Sequence, residues 1–277
     1  MPITPYYSSS AIHYARLALQ QVPLKLVSTR SSKTNDVYFS SDPHKDLSIT
    51  LTDADRELWG QSPLSKPINQ KIKRGIDLVF GIPAVLITLP IMGVFCTLKF
   101  LEDIFSGKGF LSPLWKGPRA GTDGRTLTIY KIRTMIINEN TGKITAVNDH
   151  RITPVGKIMR RFKIDELPQL FSVLAGNLSL VGPRLRQKSN YNRNPKSKKI
   201  LPFKQGLTGT HQLLLIPFSV ANYPSMDAER YQMDRDYLLH WSPWQDIALI
   251  IKTPFKILGQ LFSNKTIEPP KQTTDVI

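Results

Sequence analysis

The longest apolar stretch of the chain runs over residues 78–98, where 21 consecutive positions carry no charged side chain. About 20 apolar residues suffice to cross a bilayer core as a helix. Pro83 and Pro90 interrupt this stretch, and Pro90 falls near its middle, where a kink is expected. Basic residues flank it on both sides, whereas a single crossing places most positive charge on one side. The pattern favours a re-entrant membrane anchor, with a proline-kinked spanning helix and a buried soluble helix as the alternatives.

The hydrophobic period changes beyond the anchor. Over residues 126–135, β-branched and aromatic side chains predict a strand with Lys131 and Arg133 on one face. That face is either solvated or a cationic wall for phosphate. An amphipathic pattern predicts a short helix over residues 152–162.

The carboxyl-terminal half alternates short apolar runs with turn residues. Residues 177–181 predict a strand that closes in a turn at Arg184, and the Gly-Leu-Thr-Gly sequence at 206–209 predicts a tight turn. Residues 227–239 are charged and predicted to be helical. A lysine-bearing apolar helix over residues 247–258, preceded by two tryptophans (Trp241 and Trp244), fits either a membrane surface or the protein's own core.

These elements predict a helix-rich α/β (α+β) monotopic membrane protein. We divide it into an N-terminal extension (1–70), a membrane anchor (71–105), a cytoplasmic catalytic domain (106–262) and a flexible tail (263–277). The extension has no assigned chemistry: residues 11–22 resemble an amphipathic helix, and residues 29–44 have the polar composition of a loop or disordered segment. Residues 1–30 lack the continuous apolar core of a cleavable signal peptide.

Charge narrows the choice of partner. The 277-residue chain has a formal charge of +16 and a pI of about 9.9, which favours anionic partners such as acidic lipids, phosphorylated substrates or nucleic acid. Nucleic acid is the weakest of these, because the chain has no known binding motif and no aromatic stacking platform. The single cysteine, Cys96, excludes an internal disulfide framework and a cysteine-rich metal site.

The strongest chemical signal is the pair of adjacent carboxylates, Asp165 and Glu166, which follows three cations and precedes an apolar run. Asp165 fits a helix N-cap, Pro168 is tolerated in a first turn, and Gly176 fits the C-terminal stop. A helix N-terminus can hold phosphate and keep a carboxylate ionised, as a carboxylate nucleophile requires. Ordinary helix capping explains the same two residues equally simply.

The other motifs along the chain favour a functional role for Asp165 and Glu166 over ordinary helix capping. After the apolar stretch come Arg-Ala-Gly at 119–121, Ile-Tyr-Lys-Ile-Arg-Thr-Met at 129–135, Ile-Asp-Glu-Leu-Pro-Gln-Leu-Phe at 164–171, Ser-Leu-Val-Gly-Pro-Arg at 179–184 and Gly-Leu-Thr-Gly at 206–209. This order resembles the bacterial sugar transferase family, the monotopic phosphoglycosyl transferases that begin surface-glycan assembly on polyprenyl phosphate. The resemblance covers about residues 70–262.

The resemblance implies a reaction and a location. Asp165 would attack the sugar-bearing phosphorus of a nucleotide sugar, most often a UDP-sugar, and release UMP. Polyprenyl (undecaprenyl) phosphate would then take the sugar phosphate from the aspartyl intermediate, which initiates exopolysaccharide, O-antigen or capsule synthesis. Glu166 would hold Mg²⁺. The enzyme would lie among membrane lipids on the cytoplasmic face of the bacterial inner membrane, with a homodimer left open. The implied phosphate-binding cations are Arg119, Lys131, Arg133, Arg160 and Arg184.

Four positions depart from the family pattern. Asn177 stands where the family usually has Asp, Leu185 replaces the second proline of Pro-Arg-Pro, Lys204-Gln205 replaces Arg-Pro or Lys-Pro, and Leu89 precedes Pro90 where Ser is common. The first three flank the expected site, so they bear on substrate contacts or rate. They leave open a second function, that of a catalytically weak membrane-bound adaptor of glycan assembly.

Overall fold

A computed structural model gives the fold for residues 49–107, 109, 111–136, 149–187, 191, 194–214 and 227–262. The features predicted for residues 11–44 and 263–277 lie outside this described part. Its α-helices are α1 (Asp53–Gln61), α2 (Pro67–Phe105), α3 (Pro154–Arg161), α4 (Gln169–Leu174), α5 (Thr210–Leu214), α6 (Asp227–Leu239) and α7 (Pro243–Phe262). Its strands are β1 (Leu114–Ala120), β2 (Thr126–Ile132), β3 (Ser179–Val181) and β4 (Gly206–Thr208).

Helix α2 turns one stripe toward the protein and an apolar face outward. Its buried positions recur every four or seven residues, which keeps them on one side of the helix: Lys73, Asp77, Gly81, Val85, Met92, Lys99 and Asp103. Val79, Ile82 and Leu86 are among the apolar side chains on the exposed surface, each 49–67% exposed. Only 17% of the most apolar 18-residue window is buried, so α2 is not packed like the core helix of a soluble protein.

The structure keeps Pro83 and Pro90 inside α2, which continues through both residues. Among the described helices, α2 alone is long and apolar enough to cross a bilayer. It begins at Pro67, slightly before the predicted start of the anchor at residue 71. The long apolar helix is confirmed, and its re-entrant path stays a prediction.

Strands β1 and β2 form an antiparallel hairpin, with register Leu114↔Ile132 to Ala120↔Thr126. The strand predicted over residues 126–135 is therefore confirmed up to Ile132. Gly124 in the connecting turn has φ +73°, and a Cβ there would lie 2.1 Å from the Ile49 carbonyl oxygen. The turn thus needs glycine both for its left-handed backbone and for the close approach of residue 49.

The tight turn predicted at residues 206–209 is wrong. Gly206–Thr208 form strand β4, which pairs parallel to β3 through Ser179↔Gly206 and Val181↔Thr208. A Cβ on Gly206 would lie 2.1 Å from the Gly182 nitrogen. Glycine is required here because two backbones approach closely, and that requirement resembles a turn signal in the sequence.

The amino-terminal end of α2 is joined to α6 and α7 by a buried polar network. Asp246 accepts hydrogen bonds from Lys73 Nζ (2.7 Å), Tyr237 Oη (2.7 Å) and Trp241 Nε1 (3.0 Å). Trp241 is therefore a core residue, whereas Trp244 is 78% exposed. In the predicted helix over residues 247–258, Leu249 and Ile250 pack on the core, while Ile251, Phe255 and Leu258 are exposed. Contact of the exposed face with a membrane surface stays a prediction.

Residues 53–65, to which the sequence assigned no element, form α1 and a short 3₁₀ turn. Thr52 caps α1 through a reciprocal capping box with Asp55. Trp59 packs on Phe203 with ring centroids 5.0 Å apart, and Arg56 forms an ion pair of 3.0 Å with Asp123 in the β1–β2 turn. This part of the extension therefore packs directly on the catalytic domain.

Candidate active site

The two carboxylates lie in a short 3₁₀ turn, Ile164–Glu166, between α3 and α4. Lys163, just before the turn, has a left-handed backbone with φ +59°, which ends α3 and reverses the chain. The predicted N-cap role of Asp165 is wrong: Pro168 occupies the N-cap position of α4, and no side chain caps it. Gly176, with φ +82°, follows the end of α4 as predicted.

Asp165 is buried and incompletely satisfied. Asp165 is only 8% exposed, and its Oδ1 has no hydrogen-bond partner among the described atoms. Burial, followed by repulsion from Glu166, raises the pKa of Asp165 from 3.8 to about 6. The carboxylate is thus mostly ionised at neutral pH, although it is poorly compensated.

Glu166 has the opposite environment. Its Oε1 accepts a hydrogen bond from Lys131 Nζ at 2.6 Å and lies 3.6 Å from an Arg184 Nη, while Oε2 lies 4.0 Å from Lys163 Nζ. Burial opposes ionisation, but the charges of Lys131, Lys163 and Arg184 outweigh it and hold the pKa of Glu166 well below 4.5. Adjacent residues in the chain therefore have carboxyl pKa values displaced in opposite directions, an arrangement typical of functional sites.

Two further predicted cations lie near the pair. Burial lowers the pKa of Arg160, and the negative charge of Asp165 partly offsets this lowering. The Arg160 Nε donates a hydrogen bond to Thr134 Oγ1 at 2.8 Å. Burial and the nearby charge of Arg184 lower the pKa of Arg119, whose guanidinium stacks over the Trp115 ring at 5.6 Å. The structure thus gathers Arg119, Lys131, Arg160 and Arg184 around the carboxylates.

Arg133 is placed differently from the other predicted cations. It follows the end of β2, and its guanidinium is buried, pairs with Asp103 of α2 and donates from Nε to the Ser112 carbonyl at 3.0 Å. Asp103 also pairs with buried Lys99 at 2.9 Å. In this structure Arg133 ties the catalytic domain to the end of α2, so its predicted phosphate contact would require exchanging a buried ion pair.

Lys163 was not among the predicted site residues. Burial lowers its pKa to about 8, despite the attraction of Glu166. The sequence offered one signal, a third cation two residues before Asp165. Its orientation toward Glu166 depends on the left-handed backbone at Lys163, for which the lysine itself gives no local cue.

The residues fit a magnesium ion shared with a substrate. The described part of the chain has no group of three or more His, Cys, Asp or Glu side chains that could hold a metal. Mg²⁺ bound with substrate phosphates typically needs only one or two protein carboxylates. Glu166 Oε2 is beyond hydrogen-bond distance of Lys163, and the partnerless Asp165 Oδ1 belongs to the adjacent residue. Glu166 is therefore a suitable ligand once a diphosphate supplies the remaining oxygens.

The departures from the family pattern lie outside this cluster. Asn177 is exposed, Leu185 packs against the core, and Gln205 is buried, with its Nε2 donating to the Phe203 carbonyl at 2.8 Å. No ion pair or hydrogen bond in the described part joins any of them to Asp165 or Glu166. These substitutions therefore leave the carboxylate pair and its cations in place.

Comparison with known proteins identifies the family of the region that contains this site. The family described as bacterial sugar transferase matches residues 68–260. This chain belongs to the bacterial sugar transferase family. The match includes Asp165, Glu166 and the surrounding cations, whereas α1 lies outside it.

The names of several curated relatives state that they act on undecaprenyl phosphate. The chain is 32% identical over 204 residues to the UDP-glucose:undecaprenyl-phosphate glucose-1-phosphate transferase of Escherichia coli (strain K12), covering 70% of this chain and 42% of that protein. It is 32% identical over 216 residues to the undecaprenyl-phosphate galactose phosphotransferase of Salmonella typhimurium, covering 72% and 43%. The chain is also 32% identical over 212 residues to the UDP-N-acetylgalactosamine-undecaprenyl-phosphate N-acetylgalactosaminephosphotransferase of Aeromonas hydrophila. That alignment covers 71% of this chain and 46% of the relative. The chain spans less than half the length of these relatives.

Proposed function

We propose that this protein is a phosphoglycosyl transferase that moves a sugar 1-phosphate from a UDP-sugar to undecaprenyl phosphate and releases UMP. The observation that carries the proposal is the Asp165–Glu166 pair: Asp165 is buried with one carboxylate oxygen, Oδ1, that has no hydrogen-bond partner, and Glu166 is held ionised by cations. The UDP-sugar and undecaprenyl-phosphate specificities in the names of the relatives support the same substrate classes. The reaction would begin assembly of a surface polysaccharide.

In the first step, an Asp165 carboxylate oxygen attacks the phosphorus that bears the sugar. A phosphorus–oxygen bond to Asp165 forms, and the bond to UMP breaks with its electron pair leaving on UMP. In the second step, a phosphate oxygen of undecaprenyl phosphate attacks the same phosphorus and Asp165 leaves as a carboxylate. A pKa of about 6 supports this role, because Asp165 is ionised at neutral pH while its Oδ1 makes no hydrogen bond that attack would have to break.

The surrounding charges suit phosphoryl transfer. This reaction demands mainly positioning and stabilisation of charge on phosphate oxygens. Lys131 and Arg184, which bind Glu166, and Arg119 beside them would contact the donor diphosphate. Glu166 would hold Mg²⁺, which when bound neutralises charge on the diphosphate and the leaving phosphate.

Contacts at both ends of α2 support placement of the whole protein on one side of the membrane. Before the apolar stretch, Asp77 accepts hydrogen bonds from Ser179 Oγ and Leu180 N at 2.8 Å each. After the stretch, Asp103 pairs with Arg133. A spanning helix would separate its ends by roughly 30 Å of hydrocarbon, yet here one domain contacts both ends. We therefore propose a monotopic protein on the cytoplasmic face of the inner membrane.

The reaction is tested with purified protein in lipid nanodiscs, a panel of UDP-sugars, undecaprenyl phosphate and Mg²⁺. We expect UMP release with at least one donor, a sugar-phosphate adduct on Asp165 when the acceptor is omitted, and neither with Asp165→Asn. Asp236→Asn, at a side chain 55% exposed, is the matched control and should remain active. Normal UMP release by Asp165→Asn would remove Asp165 as nucleophile, and no turnover with any donor would favour the adaptor function.

Membrane placement needs a separate test. In a Cys96→Ser background, which removes the only cysteine, Lys71→Cys and Ser106→Cys place thiols at exposed positions on either side of the apolar stretch. In inverted inner-membrane vesicles, a membrane-impermeant maleimide should label both variants. Labelling of one variant in inverted vesicles and of the other only in spheroplasts would show a spanning helix.

A further inference from the structure

A cavity of about 360 Å³ lies at the seam between α1 and the catalytic domain, apart from the carboxylate pair. Its walls come from α1, the first turns of α2, the β1–β2 turn, residues 182–183, residues 202–204 and the end of α6. Small-molecule sites usually enclose about 300–1,000 Å³. The cavity is therefore large enough for a ligand of modest size.

Part of the cavity lining is aromatic. Trp59 and Phe203, whose rings are 5.0 Å apart, and Tyr237 all contribute to the lining. Phe203 and Tyr237 are buried, while Trp59 is half-buried and comes from the element outside the family match. A flat ring bound against Trp59 would gain stacking without requiring a particular base edge.

The lining also carries more cations than carboxylates, four against two. Arg56 pairs with Asp123 at 3.0 Å, and Lys73 pairs with Asp246 outside the cavity. Asp77 accepts hydrogen bonds from the Ser179 hydroxyl and the Leu180 N–H. No described cation lies within ion-pair distance of it.

Lys204 and Arg74 are the two lining cations that make no ion pair within the described part of the chain. Partial burial and the charges of Arg74 and Lys73 lower the pKa of Lys204. Arg74 donates from its two Nη atoms to the Val173 and Leu174 carbonyls, which leaves its positive charge uncompensated by a carboxylate. An anion between Lys204 and Arg74 would relieve this repulsion.

The location favours a soluble ligand over a lipid. Lys73 and Asp77 belong to the protein-facing stripe of α2, whereas the apolar positions such as Val79 and Ile82 are exposed on its surface. The cavity shares one wall with the active site, since Gly182 and Pro183 line it and the next residue, Arg184, contacts Glu166.

We propose that this cavity is a second ligand site, which binds a nucleotide by stacking its base near Trp59 and its phosphate near Lys204 and Arg74. Arg56, Trp59 and Leu64 lie outside the family match, so the extension completes a cavity whose remaining lining belongs to the matched region. It does not depend on the proposed transferase reaction, since binding is measured without a sugar donor.

The test is isothermal titration of the full chain in detergent micelles with UMP, AMP and inorganic phosphate. Trp59→Ala and Lys204→Ala should each weaken nucleotide binding by about tenfold or more. Trp59→Phe keeps a ring at the seam and should retain binding within about threefold. Lys196→Ala, at an exposed lysine outside the cavity lining, is the control and should bind normally.

An Arg184→Ala variant separates this site from the active site, because it should lose contacts to the carboxylate pair and keep the cavity. Retained binding in Arg184→Ala together with loss in Lys204→Ala would support the proposal. Loss in Arg184→Ala with normal binding in the two cavity variants would overturn it, as would no saturable nucleotide binding. Equal affinity for inorganic phosphate and nucleotides would reduce the cavity to a simple anion site and would also overturn it.

Discussion

Replacing the proposed nucleophile should make the protein more stable. The pKa of Asp165 rises from 3.8 to about 6 on folding, so the native state binds this proton more tightly than the unfolded chain does. Below about pH 4 both states are protonated and the residue costs nothing. As the pH rises to about 6, the unfolded chain ionises first and the native state loses stability. Above that pH the cost is constant.

The size of this cost follows from the shift. About two pKa units correspond to roughly 3 kcal/mol of native-state destabilisation at neutral pH. An Asp165→Asn variant removes the charge and therefore this destabilisation. It keeps a buried polar group without a partner, which offsets about 1–2 kcal/mol of the resulting stabilisation. We therefore expect the variant to be more stable by about 1–2 kcal/mol above pH 6, equivalent to a rise in Tm of roughly 2–8 °C. Glu166 also titrates in the unfolded chain, but both proteins carry it, so its contribution cancels in the difference between them.

Thermal unfolding of the wild type and Asp165→Asn in the same detergent, measured across about pH 4–8, tests this prediction. At the acidic end the variant should be less stable than the wild type by up to about 1–2 kcal/mol, because the wild-type carboxyl is then uncharged in both states. Its relative stability should rise with pH and reach the full gain above about pH 6. Asp236→Asn, at an exposed side chain, should show no such profile. A gain of equal size at all pH values, or a less stable variant at neutral pH, would refute the assignment of a strained buried carboxylate.

Three other substitutions test the site and its support. Glu166→Gln should reduce UMP release by about 10²–10³-fold, because the charge that organises the cations is lost; initial rates over a Mg²⁺ titration measure it. Asp246→Asn should lower the free energy of unfolding by about 3–5 kcal/mol, because it leaves Lys73 buried without its partner; denaturant unfolding measures it. Gly156→Ala should lower stability by about 1–3 kcal/mol, since the added Cβ would lie 2.1 Å from the Thr134 carbonyl oxygen; Tm and UMP release measured together should both fall.

Each of these variants has a matched control. Glu57→Gln changes an exposed glutamate paired with Lys199, and it should keep normal activity. Asp236→Asn again serves as the exposed counterpart of Asp246→Asn. Gly60→Ala adds a Cβ with nothing within 4 Å, inside helix α1, and should be neutral or slightly stabilising. If a control matched the loss of its partner, the local contacts named above would not be the cause.

The sequence by itself determined the features that depend on neighbouring residues. Local periodicity or backbone preference explains the uncharged run over residues 78–98, the strand that begins at Thr126 and the helix C-terminal glycine at Gly176. The end of that strand at Ile132, three residues before the predicted end, was not readable from the sequence. The family was also readable, because its motifs are contiguous and ordered along the chain.

Tertiary structure alone decided which side chains face each other. Arg133 and Lys131 belong to the same motif, yet Arg133 pairs with Asp103 and Lys131 with Glu166. Both ion pairs join residues far apart in the chain, and a carboxylate accepts lysine or arginine with little regard for sequence position. The burial that raises the pKa of Asp165 has the same origin, since desolvation is set by all the elements packed around a group.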